Sequence, residues 1–240
     1  MATLTATGGR TWVTRPGRRP GTVLGVATPR AVSEQAARGL AGVPALARMA
    51  AVLAAGLLAG AATSVLQKYL GSPWDSLVNA ASPWLVLMFA AGVLWARPPA
   101  AALAGAATGL LELAGYYLTA AARGYPAGPG ILAFWTACAV LGGPLFGAAG
   151  WAWWRGPAAL SALGAAALPA AFLAEAAVAY AWRLHYWSSA ALFAVLGVVV
   201  FVLAGLHRRQ YVAAARWLLA AFPAGVAAEL LLGLIYSQSF

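Results

Sequence analysis

The chain has 240 residues, 63% of them hydrophobic and 8% charged, with a mean hydropathy of +0.80, far from the roughly 25% charge of a soluble domain. Its net charge of +10 does not mark a nucleic-acid binder, because Lys and Arg stand at the ends of apolar runs rather than on one polar surface. The single cysteine, Cys138 within an apolar run, excludes a disulfide framework and a thiolate metal cluster.

Residues 1–44 form a first region, rich in Thr, Gly, Pro and Arg and including RPGRRP at residues 15–20. With no apolar periodicity long enough for a core, it reads as a disordered, basic cytoplasmic tail. It is too long and irregular for the n-region of a cleaved signal peptide, and Met49 offers an alternative start. Residues 45–240 read as an all-α, polytopic membrane helical bundle of seven transmembrane helices. Their spans are expected at residues 47–67, 79–96, 100–121, 130–152, 158–181, 189–206 and 216–236, most of them at or above the length that crosses a bilayer. Gly142, Gly143 and Pro144 interrupt the fourth, where a kink or local unwinding is expected.

The stretch after the first span, QKYLGSPWDSLVNAASPWLV at residues 67–86, carries Ser-Pro-Trp twice. Ser-Pro opens helices because proline suits the first turn, and Trp anchors at the membrane interface. The same stretch gathers Gln67, Asp75, Asn79 and Ser82 beside Trp74 and Trp84. A polar and aromatic cap of this kind orients a small organic ligand. The stretch fits both readings.

Orientation follows from the Lys and Arg bias. Counting Arg48, the tail supplies seven basic residues. Arg97, Arg155, Arg208, Arg209 and Arg216 fall on the same side, against Lys68, Arg123 and Arg183 on the other. The N-terminus is therefore expected inside. The Ala, Gly, Arg and Pro bias points to a high-GC bacterium and hence to the bacterial plasma membrane.

Three of the five acidic residues, Glu112, Glu175 and Glu229, lie in the most apolar parts of the chain. A carboxylate at the centre of a membrane helix costs about 2.5–3.5 kcal/mol on the insertion scale, so each must be protonated, paired, hydrated or given a cation. No Lys or Arg lies in the middle of a span. Arg123 and Arg183 lie eleven and eight residues beyond Glu112 and Glu175, roughly 12–16 Å along a helix and beyond easy reach. Thr108, Glu112 and Tyr116 recur every four residues and share a face; Tyr236 lies seven residues after Glu229. Each glutamate sits on the returning helix of an expected hairpin, and Pro169 and Pro223 precede Glu175 and Glu229 at the same interval, a helical-hairpin repeat of the kind transporters carry. Two readings result. The carboxyl groups face one hydrated cavity that handles a small cationic or polar solute or a proton, or they are protonated and tie helices together. The binding residues expected on the first reading are Glu112, Glu175, Glu229, Tyr116, Asn79, Trp74 and Asp75.

No metal site or cofactor is expected. His185 and His207 fall on opposite sides of the membrane, and no HExxH, phosphate-binding loop or G-x-S-x-G elbow occurs, so nothing asks for an enzyme. Expected partners are the lipid bilayer and the solute, and no nucleic acid.

Leu66-Gln67, Pro73-Trp74, Asn79, residues 82–84, Phe89, Gly92, Glu112 and Gly115-Tyr116-Tyr117 resemble a family of small uncharacterised multi-pass proteins of high-GC bacteria, a domain of unknown function, over the chain from about residue 50 onward. That resemblance implies a helical membrane fold and no assigned activity. A fainter one is to the substrate-binding membrane subunits of energy-coupling-factor vitamin transporters, carried by Ala51, Ala55 and Ala59 with Gly56 and Gly60 in small-xxx-small spacing. It implies a small bundle with a ligand pocket near the outer face.

Overall fold

A computed structural model describes residues 44–239 of the chain, with side chains through Ser237; the basic tail expected over residues 1–44 lies, apart from Pro44, outside the described residues. Among these residues there is no strand. The helices are α1 (Ala45–Leu66), α2 (Ser76–Asn79), α3 (Ser82–Val93), α4 (Pro98–Ala122), α5 (Pro129–Arg155), α6 (Ala158–Glu175, prolonged by the π-helical Ala176–Arg183), α7 (Trp187–Leu206) and α8 (Tyr211–Ser239). Proline occupies the first turn of α3, α4 and α5, where its missing N–H costs nothing.

Six of these elements, α1, α4, α5, α6 with its π extension, α7 and α8, are long and apolar enough to cross a membrane, and the chain is a multi-pass membrane protein. Each of the seven expected segments is helical, but the second is shorter than its apolar run. α3 has 12 residues, about 18 Å against a hydrocarbon core of about 30 Å. The rest of that run is a turn and the single-turn α2.

Small residues bring the helices together. A Cβ at Gly60 would overlap the carbonyl oxygen of Glu112, and one at Gly115 that of Leu57, so α1 and α4 meet backbone to backbone. Gly92, Gly105, Gly143 and Gly147 do the same for α3, α4 and α5. Without a hydrophobic force between helices in lipid, such close approach is what packing has to offer. It also accounts for α5, which runs unbroken through Gly142, Gly143 and Pro144. Gly143 is required for contact with Gly105 and Ala106, and the expected unwinding is absent there. The irregular helix lies instead directly after Glu175, in the π-helical turn.

α6 is the most enclosed span and α8 the least. α8 packs chiefly on α6 rather than on α7, its neighbour in sequence. Phe172, Tyr180 and Phe193 stack where α6, its π extension and α7 meet.

Candidate functional site

The geometry is set by the interruption between α2 and α3. The first N–H groups of a helix have no partner within it, and an orphan buried away from water is costly. Here they are met by Glu175 of α6. The N–H groups of Ala81 and Ser82 donate to its Oε1 and Oε2, both at 2.8 Å, and the Ser82 hydroxyl donates to Oε2. The carboxyl group therefore acts as the N-cap of another helix, at the positive end of the α3 dipole. Glu175 is 5% exposed and both its oxygens are used. The turn before α3 is pinned further. The Tyr180 hydroxyl donates to the Ser76 carbonyl at 3.3 Å, and Ser76 and Ser189 share a hydroxyl bond of 2.7 Å.

The other end of α3 is closed by donors from α1 and α5. Arg48 donates to the Leu94 carbonyl at 2.9 Å, Arg155 to Trp95 at 2.9 Å and Trp151 to Ala96 at 3.1 Å. Arg208 caps the Gly156 and Trp154 carbonyls in the same way. At this arginine-rich face His207 stacks on Trp154 with centroids 4.2 Å apart. Burial first, then the Arg208 charge, pull its pKa below the usual imidazole value, against an opposing effect of the Trp154 backbone.

Beside the N-terminus of α3, towards the opposite face, lies a cavity of about 290 Å³. Its walls include residues 78–81, which close α2 and turn into α3, Trp84 and Met88 of α3, Gly109, Leu113, Tyr116 and Tyr117 of α4, Trp135 and Cys138 of α5, and Tyr236 of α8. Rings dominate. Trp84 and Tyr116 are 5.7 Å apart, Tyr116 and Tyr117 meet edge to face at 4.9 Å, and Phe134 bridges to Tyr236 at 5.8 Å. A polar group holds one side of the cavity. Gln67 Nε2 donates to Asn79 Oδ1 at 2.6 Å and to the Tyr116 hydroxyl at 2.9 Å, and Asn79 donates to the Asp75 carbonyl at 3.0 Å.

The expected binding residues divide. Asn79 and Tyr116 line the cavity. Asp75 supports Asn79 from outside it, and Trp74 is 55% exposed and takes no part in the lining. None of the three glutamates lines it. Glu112 lies on α4 among three lining residues, Gly109, Leu113 and Tyr116. It is 3% exposed, and its Oε2 has no hydrogen-bond partner among the described residues. Glu229 lies within electrostatic range of Glu175 and of Arg183, and the Arg183 guanidinium rests against Gly233 one turn further along α8. The three carboxyl groups thus have three different environments, and the hairpin repeat in sequence does not place them equivalently.

Sequence reasoning gave Gln67 and Trp84 a place in the polar and aromatic cap but did not find Tyr117, Trp135 and Cys138 as lining. Tyr117 carries a signal, adjacent to Tyr116 in Gly115-Tyr116-Tyr117. Trp135 and Cys138 belong to an apolar run with no marker of its own. Among the described residues no three of His, Cys, Asp and Glu come together as metal ligands would.

No curated protein and no solved structure matches the chain, so the likeness to vitamin-transporter subunits finds no support. Residues 39–237 do match a family, and the match holds the residues through which a family of uncharacterised membrane proteins is legible in the sequence: the chain belongs to the family of unknown function DUF6518.

Proposed function

We propose that the protein binds, and carries across its membrane, a small cationic or polar organic solute at the aromatic cavity. One observation carries this reading: the break between α2 and α3 at Ala80 and Ala81, which interrupts the second apolar run, lines that cavity. Non-helical backbone at membrane depth is tolerated only where protein buries it or where it borders a cavity. Discontinuous helices are also how secondary transporters build solute sites near the midplane. The volume lies at the small end of ligand pockets, which run from about 300 to 1,000 Å³. Asn79 and Tyr116 are the polar residues assigned to the site, with Glu112 behind them on α4 and Glu175 fixing the turn that shapes it. The excess of Lys and Arg on one face supports placing that face in the cytoplasm of a bacterium, with the cavity towards the outside.

A second reading has its own observation. Glu175 spends both oxygens on α3, as a carboxyl group retained for helix assembly would, so the protein could serve as a structural or assembly subunit. Thermal unfolding of the purified protein, screened against organic cations, vitamins and metal ions, separates the two. A compound that stabilises the wild type but not Trp84→Leu or Tyr116→Leu places a solute in the cavity. If no compound does so, the structural reading stands alone.

A further inference from the structure

We infer that the cavity takes a quaternary ammonium group, held by ring faces rather than by an ion pair; this rests on reading the cavity as the solute site. Four features lead there. Trp84, Tyr116, Tyr117 and Trp135 enter one space of about 290 Å³ from three helices, which is the arrangement that recognises ammonium groups through the negative faces of rings. No acidic residue is among the lining, so an ammonium with N–H donors has no carboxylate there to receive them. The polar side chains on one side of it, Gln67, Asn79 and Tyr116, are already committed to one another. A tetraalkylated nitrogen needs no acceptor at all, and its methyl groups suit the apolar remainder, Met88, Leu113 and Ala139.

The fourth feature favours a cation over a neutral group of the same shape. Glu112 does not line the cavity but lies on α4 among the lining residues Gly109, Leu113 and Tyr116, buried, with Oε2 lacking a donor. A positive charge in the cavity favours the ionised form of a nearby carboxyl group, and in a low-dielectric wall that attraction acts across several ångströms without contact. The chemistry is shared by two sources, a free trimethylammonium compound and the headgroup of a choline lipid.

Cys138, the chain's single cysteine, lines the cavity and reports on its occupancy without any substitution. The rate of its modification by N-ethylmaleimide is measured on the full chain in phosphatidylglycerol nanodiscs, with choline, its uncharged isostere 3,3-dimethyl-1-butanol, or ethanolamine added. Choline is expected to protect Cys138 at a concentration about tenfold or more below either competitor, as two ring contacts with a cation give. Equal protection by the isostere would overturn the cation preference, and equal protection by ethanolamine would overturn the quaternary one. In both cases the cavity remains a solute site. If no compound, at any concentration, slows labelling, the inference falls; if the wider thermal screen is also blank, the solute reading falls with it. Labelling that is already slower in phosphatidylcholine nanodiscs than in phosphatidylglycerol, with nothing added, supports the inference and assigns the ammonium group to lipid.

Discussion

Glu175 and Glu112 are buried alike, 5% and 3% exposed, on two apolar helices, yet they have opposite hydrogen-bond states. Glu175 accepts from two backbone N–H groups and a hydroxyl, all at the start of α3. Glu112 leaves Oε2 without a donor beside an aromatic cavity. Burial of an acidic residue in a membrane helix is therefore not one signal but two. Where the acid completes the hydrogen bonding of another element, the fold accounts for it. Where it does not, the fold carries a cost, and something other than packing has to account for it.

The largest expected effect tests the first half of that contrast. Glu175→Ala strips partners from two N–H groups and a hydroxyl at a depth where water does not replace them. Each buried orphan costs about 1–3 kcal/mol, so the combined loss is several kcal/mol, read as unfolding by sodium dodecyl sulfate in mixed micelles. Glu175→Gln keeps one good acceptor and should lose roughly half as much. Glu112→Ala removes no hydrogen bond and should cost clearly less. Equal losses at the two positions would break the comparison. Next in size is Gly60→Val, whose Cβ would overlap the Glu112 carbonyl oxygen. Overpacking of this kind costs about 1–3 kcal/mol, and Gly71→Ala, with open space around it, is the neutral control in the same assay.

A smaller stability effect with a sharper functional consequence belongs to Glu112→Gln. Exchanging an acid without a donor at Oε2 for an amide of the same shape should leave stability within about 1 kcal/mol, while choline protection of Cys138 weakens. Stability lost with protection intact would make Glu112 a second structural acid and remove it from the site.

What could be read beforehand follows the range of the interaction concerned. The spans were legible because apolar length is a local property, and the start of α3 was legible because Ser82-Pro83 is a local helix-opening signal. Its cap was not, since Ser82 and Glu175 lie 93 residues apart and no spacing rule connects them. A kink or local unwinding was expected at Gly142 to Pro144 because glycine and proline loosen an isolated helix. With Gly143 packed on α4 the stretch stays helical rather than unwinding. The π-helical stretch AAVAYAWR holds neither glycine nor proline and gave no warning. Asn79 and Tyr116 were found from clustering and a four-residue stripe. Trp74 and Asp75 shared the cluster and not the cavity, because which residues of a turn face inward is decided by how it folds back on α3.

The smallest expected effect comes from the arginine-rich end, where backbone carbonyls are as well supplied with donors as the N–H groups at Glu175 are with acceptors, but the titrating group is a base. Burial and the Arg208 charge lower the His207 pKa from the ordinary 6.5, so the folded protein favours neutral imidazole more than the unfolded chain does. The unfolded state then binds more protons in the window between the lowered value and 6.5, and stability rises with pH across it. The contribution of His207 is fully present above pH 6.5 and is lost as the pH falls through the lower folded value. Thermal unfolding of the wild type should therefore drop on acidification by more than that of His207→Gln, with His185 common to both and cancelling in the difference. Stacking on Trp154 should make His207→Gln slightly less stable at pH 8, and the two proteins should converge towards pH 5. Parallel curves would mean that His207 is hydrated when folded. In that case the arginine-rich end would be more open than its backbone caps imply, and the contrast with the cavity at the opposite end would lose its second half.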